Sequence, residues 1–415
     1  MRHIANKAVA AVVLVSFFLS SCVTTQGSGT GNGPSVGPLF SSNFFRQKVQ
    51  EEGVQKPKLN LVVPVFDPGI PGTSAEIENK GIWPELRRAE ATRFAYKLKQ
   101  ALDDTGAFGA VRVTPDRTAT GDLYVLGKID ESDGEDVEID IEVVDISGKR
   151  WMSESFDHEV QESFYQDYRN KGRDPYDPLF EEAAKEIVEE LDYYAAVDLE
   201  KLQTLTTLRF GANFSEEAFS HHMKKEEGRF LLASMPSDDD PMLRRINAIR
   251  VRDQLFVDGL QSEYQAFSSK METSYLIWQE QAGLEKRAKR KAQMEAAGKI
   301  LLGVLAIAAG AASAYYGGKS DNYGGQSAGA AGAVAGGAAG VALLQSGFQS
   351  HAEAQTHKDS LNELGKSIDM DLAPQVVEFE KQTAELTGDA KQQFAQWRIF
   401  LKEIYEHEAT PLVKL

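Results

Sequence analysis

Between Ile300 and Ser350 the chain carries only two charged residues, Lys319 and Asp321, and is otherwise built mainly from Gly, Ala, Ser and aliphatic residues. Such a stretch cannot form an ordinary amphipathic surface helix, which needs a polar face. Ile300–Tyr316 and Ser327–Ser350 are two uncharged arms, and the polar stretch 317–326 between them suits a turn, so the segment is expected to form a helical hairpin over 297–350. Small residues recur every four positions: Ala306, Gly310, Ala314 and Gly318 in the first arm, then Gly332, Gly336 and Gly340, with Gly325 and Gly329 leading in. That spacing is a glycine-zipper pattern, which lets helix backbones approach closely where lipid removes the usual hydrophobic drive. Gly303, Gly310, Gly325, Gly329, Gly332, Gly336 and Gly340 are the candidate helix-packing residues. A tightly packed soluble hairpin and a low-complexity linker compete with a membrane-associated one. Ile300–Ile307 is too apolar for a linker, and the Gly/Ala-rich second arm is only weakly hydrophobic, so membrane association is the favoured expectation.

The start of the chain sets its expected location. Arg2 and Lys7 precede an apolar run from Ala8 to Leu19, of secretory rather than membrane-spanning length, and Leu19-Ser20-Ser21-Cys22 follows. These four residues resemble a bacterial lipobox. The resemblance implies that residues 1–21 are a signal peptide and that Cys22 is diacylated and becomes the first mature residue. Several acyl chains, at about 0.8 kcal/mol per buried methylene, hold a protein stably on a leaflet, whereas one binds reversibly. No aspartate follows Cys22, which in enteric-type sorting favours the outer membrane, facing the periplasm. Cys22 is the only cysteine, so acylation leaves no thiol for a disulfide, a nucleophile or a metal site. Residues 22–57 open with Gly/Ser/Thr-rich sequence and read as a flexible tether.

From residue 58 to 198 the periodicity predicts a small α+β unit of the order β-α-β-β-β-β-α, a loose sandwich. Leu59–Phe66 reads as a strand, Trp83-Pro84-Glu85 opens a helix, and Leu86, Phe94, Leu98 and Leu102 recur on one face of it. Strands follow at 110–113, 122–129, 137–144 and 149–160, then a helix from 177 to about 194. In the third of these strands Val137, Ile139, Ile141 and Val143 alternate with Glu138, Asp140 and Glu142, so the acids read as a solvated face, not a cation site.

The stretches Thr105–Val111, Ala119–Gly127 and above all Val144-Asp145-Ile146-Ser147-Gly148-Lys149-Arg150-Trp151 resemble the small domain shared by three envelope families. These are the curli secretion channel lipoprotein, the lipoprotein activators of penicillin-binding proteins, and the N-terminal domain of the Tol-Pal β-propeller protein. The resemblance covers about a third of the chain and implies a binding or oligomerising domain rather than chemistry. Phe108 and Trp151 read as core aromatics and Gly148 as a turn residue. The chain lacks the pair of long amphipathic insertions that would build the curli family's β-barrel.

Residues 199–296 read as helical, with Ile249, Phe256, Leu260, Tyr264, Phe267, Met271, Tyr275 and Trp278 forming one stripe suited to a bundle core or a coiled coil. Lys286, Arg287, Lys289, Arg290 and Lys291 form a basic cluster beside the apolar segment, equally suited to anionic headgroups or an exposed helix end. Residues 351–415 read as C-terminal helices, one of them starting at Pro374. The last carries Phe394, Trp397, Leu401 and Ile404 on one stripe, and the helices together would make a stalk with the hairpin at its tip.

No catalytic constellation emerges. Gly325-Gln326-Ser327-Ala328-Gly329 matches a nucleophile elbow in letters only, because no strand precedes it. The adjacent His221 and His222 diverge on a helix, and Asp238–Asp240 reads as a loop. A formal net charge of −17 argues against nucleic-acid partners. The expectation is a non-enzymatic outer-membrane lipoprotein without cofactor or metal, acting as a structural or assembly component of an envelope complex. Its partners would be membrane lipid and further copies or another envelope protein. The alternative is a regulatory lipoprotein that activates a peptidoglycan synthase.

Overall fold

The computed structural model describes residues 55–237, 239–316, 352–366, 369–379 and 382–409, with 289, 293, 295–316, 352–355, 378–379, 382 and 407–409 described in backbone only. The described chain is mixed α and β. Strand β1 (Leu61–Pro64) is buried at every position and lies at the inside of a five-stranded sheet of order β2-β1-β3-β4-β5. It runs parallel to β2 (Val111–Thr114) and β3 (Leu123–Ser132), whereas β3, β4 (Asp136–Asp145) and β5 (Arg150–Glu159) form an antiparallel meander. A strand flanked on both sides and covered on both faces has no solvated side, which is why β1 reads as a continuous apolar run. In β4 the alternation is realised: Val137, Ile139, Ile141 and Val143 are buried and the acids between them point outward.

Two helices connect β1 to β2. The short α1 (Ser74–Lys80) is capped by Thr73, and α2 (Pro84–Asp104) starts with proline at its first turn. Leu86, Phe94, Leu98 and Leu102 of α2 are buried as the periodicity predicts, but Arg87, Glu90 and Arg93 are buried with them. The Asp145–Lys149 turn explains the Val144–Trp151 motif in structural terms. Gly148 takes a φ of 91°, and Asp145 Oδ1 accepts from the backbone N–H of Ser147 and Lys149 at 2.9 and 3.0 Å. Asp145 Oδ2 accepts from Trp151 Nε1 at 2.9 Å, and Trp151 stacks on Tyr194 with 3.9 Å between ring centroids.

After β5 come α3 (Glu162–Gln166), α4 (Asp177–Glu190), α5 (Ala196–Ala212) and α6 (Glu216–Phe219). Residues 199–296 are not wholly helical: β6 (Met223–Glu226) and β7 (Arg229–Leu232) form a hairpin turned by Glu227 and Gly228, both at positive φ. Helix α7 (Pro241–Tyr316) then runs for 76 residues, and α8 (Ala352–Leu364) packs on it. The helix expected from Pro374 is corrected to a second hairpin, β8 (Gln375–Phe379) with β9 (Gln382–Leu386), before α9 (Ala390–Ala409). Val376, Val377, Phe379 and Thr383 supply β-branched and aromatic residues at a density too low for a periodicity to show.

The stalk expectation is also corrected. Tyr264, Met271, Tyr275 and Trp278 of α7 belong to the same buried cluster as the sheet, α2 and α4. Each fully buried side chain of this size contributes about 1.5–3 kcal/mol, so the stripe holds α7 along the α/β body rather than free of it. A second cluster joins Val62 and Ala119 to Phe210 of α5, Ile246 and Ile249 of α7, and Phe394, Trp397, Leu401 and Ile404 of α9. The core therefore runs across residue 198 without a break.

Candidate functional site

The most heavily built polar region lies where α7 meets the β3–β4 turn, immediately before its apolar end. The turn is organised by Asp133, whose Oδ1 accepts from the backbone N–H of Glu135 and Asp136 at 3.1 and 2.9 Å. Gly134, at φ 90°, presses onto the α7 backbone. A Cβ there would lie 2.8 Å from both Ala282 Cβ and Gln279 O, and one on Gly283 would lie 2.9 Å from Gly134 O. The Gly134 N–H donates to Tyr176 Oη at 2.8 Å. Two glycines thus bring turn and helix into direct backbone contact.

Charges close around this contact. Lys286 Nζ binds Asp133, lies 2.5 Å from Asp136 Oδ2 and 3.6 Å from Glu131 Oε1. Glu135, buried to 1% exposure, binds Arg290 and lies 3.8 Å from Arg287. Burial works against the Lys286 ammonium, but its hydrogen bonds to Asp133 and Asp136 outweigh this and hold it above its ordinary range. Burial, then the neighbouring Asp133, raises Glu131. Glu131, Asp133 and Asp136 can bring oxygens within 4.8 Å of one another, a spacing a cation could use, but the Lys286 ammonium binds this group instead. Within the basic cluster Lys286, Arg287 and Arg290 face the body's own acids rather than forming a bare helix end, while Lys291 is exposed.

Beneath the turn, α2 and α7 are joined by a buried polar network. Glu90 Oε1 accepts from Ser132 Oγ at 2.6 Å and Tyr275 Oη at 2.8 Å, and Arg87 Nε is 3.3 Å from Glu90 Oε2. Arg93, fully buried, reaches Asp174 at 2.7 Å and Glu272 at 2.5 Å and lies over the Tyr275 ring. Gln279 Nε2 donates to Asp174 Oδ1 at 3.1 Å. Burial raises Glu90 above the usual carboxylate range despite Arg87. For Asp174 burial is outweighed by Arg93 and Lys97, and its carboxyl sits below that range. The network ties α2 to α7, to Ser132 of β3 and to Asp174 ahead of α4, which is the arrangement of a clamp. Charged residues interrupting the apolar face of α2, with Arg87 and Glu90 three apart, were the sequence signal for it.

The other candidate residues fall as follows. Gly303 and Gly310 lie in the last turns of α7, while Cys22, Gly325, Gly329, Gly332, Gly336, Gly340 and Ser327 lie outside the described residues. Among the described residues no helix is long and apolar enough to cross a membrane. His222 Nδ1 is 2.7 Å from Ser234 Oγ, and His357 Nδ1 is 3.0 Å from Ser274 Oγ. Neither pair is joined by a carboxylate among the described residues, so neither has the orienting third group of a nucleophilic triad. No protein-family model, no curated protein and no solved structure matches this chain.

Proposed function

We propose that this chain is a non-enzymatic outer-membrane lipoprotein, held by acyl chains on Cys22, that serves as a structural or assembly component of an envelope complex. The observation that carries the proposal is the clamp: a folded body grips α7 by backbone contact, buried ion pairs and a basic run just before the helix becomes uncharged. Such a grip fixes where the apolar segment starts relative to the body, as a protein presenting a membrane-seeking or self-associating element requires. The finer description belongs to the same proposal: a β-α-β-β-β-β-α sandwich of the envelope-domain type, and a glycine-zipper hairpin over 297–350 packed through Gly303, Gly310, Gly325, Gly329, Gly332, Gly336 and Gly340. Its partners would be lipid and further copies or an envelope protein, with no cofactor and no nucleic acid.

The test is membrane extraction of three forms: the intact protein, a Cys22→Ala form exported by a cleavable leader, and a form lacking 297–350. Resistance of the Cys22→Ala form to carbonate, abolished by the deletion, supports a membrane-associated segment. Free solubility of the Cys22→Ala form overturns it. A regulatory lipoprotein that activates a peptidoglycan synthase is the second reading, supported by the outer face of β4, where Glu138, Asp140 and Glu142 point away from the core. A regulator keeps its activity when 297–350 is removed, and an assembly component does not.

A further inference from the structure

The two edges of the sheet are treated differently. At β2 the edge is sealed by α7: Gln261 Oε1 accepts from the Val113 N–H at 2.9 Å, and Gln261 Nε2 donates to the Val113 carbonyl at 2.8 Å. The side-chain amide stands in for a neighbouring strand. At β5 no strand lies beyond among the described residues, and Ser153, Glu154, Ser155, Asp157 and Glu159 are exposed. Val160 donates to Glu135 O, so by the alternation of an antiparallel ladder Ser153, Ser155, Asp157 and Glu159 turn their backbone N–H and C=O away from β4. Among the described residues this is a row of pairing groups without a neighbouring strand, the feature that natural sheets otherwise cover or blunt.

We infer that the β5 edge is a docking site for an extended, basic segment of a partner protein, added as a sixth strand. The charges choose the occupant. On the outer face the edge presents Asp157 and Glu159, with Glu138 of β4 beside Asp157. Arg150, at one end, is engaged by Glu142 at 2.5 Å. A second copy of this chain would bring the acidic edge against itself, whereas a strand alternating Lys or Arg with apolar residues would set its cations among these carboxylates. Its apolar positions would fall on the Met152 and Phe156 side, which continues the inner face of β4. Backbone bonds supply affinity in such strand addition and alternate side chains supply specificity. The inference is independent of membrane anchoring, since neither Cys22 nor 297–350 enters it.

The test titrates the full-length protein in detergent with a decapeptide alternating lysine and valine, and with one alternating glutamate and valine, by fluorescence anisotropy. The lysine peptide is expected to bind, to weaken as salt rises, and to outcompete the glutamate peptide by at least about tenfold. Ser155→Pro removes an outward N–H without touching the β4 ladder and should weaken binding by about tenfold or more. Because proline could disturb the strand, the double variant Asp157→Lys, Glu159→Lys, which changes only exposed side chains, provides the second arm and should reverse the peptide preference. Equal affinity for both peptides, no binding, binding unchanged in both variants, or self-association that the variants abolish would each overturn the proposal.

Discussion

At the scale of single residues the structure turns on a few polar groups placed where an apolar one would be expected. Asp174 compensates the buried Arg93, and removing one partner of such a pair leaves an uncompensated charge. Asp174→Asn is therefore expected to cost about 3–5 kcal/mol in urea unfolding. Its carboxyl sits below the ordinary range, so its stabilising effect is fully present above the unfolded aspartate value of about 4 and is lost as pH falls through the folded value. The variant should accordingly show a shallower loss of stability in acid than the parent; an unchanged slope would remove Asp174 from the network. Glu90 has the opposite sign. Burial raises it, so its contribution favours folding at low pH and declines as pH rises through the folded value. Gly134 is a second sensitive position, because a methyl there meets Ala282 and Gln279 at 2.8 Å and the backbone sits at positive φ. Gly134→Ala should cost about 1–3 kcal/mol from overpacking alone, read as a lowered Tm. The charges that interrupt the apolar face of α2 hinted at Glu90, but the roles of Asp174 and Gly134 were not visible, since an Asp or Gly in a loop looks the same whether or not a helix 100 residues or more away packs against it.

At the scale of elements, legibility followed how local the cause was. The alternation in β4 and the proline start of α2 are written within a few residues, and both stand where the pattern puts them. The hairpins β6–β7 and β8–β9 escaped because strands of four or five residues contain too few positions to show a period, and the segments around them are rich in helix formers. The basic run of α7 was legible as a cluster, but its partners on the β3–β4 turn lie about 150 residues earlier. Its ion pairs are partly exposed, so Lys286→Ala with Arg290→Ala should lower global stability by only about 1–2 kcal/mol. The local effect should be larger: amide hydrogen exchange over 284–294 is expected to accelerate strongly while that of 264–278 stays slow. Unchanged protection after residue 283 would show that the Gly134–Gly283 contact alone holds the helix.

At the scale of the whole molecule, one core serves both the α/β body and the long helix. Trp278, 1% exposed and ringed by residues from both, is the natural probe. Trp278→Ala should cost about 3–5 kcal/mol. The parent should lose far-UV ellipticity and tryptophan fluorescence in one transition, and two separated transitions would contradict a shared core. What the sequence by itself determined is whatever depends on near neighbours: the strand and helix periods, the turn at Gly148, the 300–350 segment with only two charges and its small-residue spacing, and the single Cys22 after an apolar run. Tertiary structure alone decided that α7 lies along the body instead of standing out as a stalk, that its cations meet Asp133, Glu135 and Asp136, and that the β2 edge is sealed while the β5 edge is open. The reason is physical. Local patterns record which face of an element must leave water, and burial of that face is satisfied by any apolar neighbour of the right shape. Which neighbour it meets depends on closing loops of more than 100 residues, where the cost grows only slowly with length and leaves no mark in the local sequence.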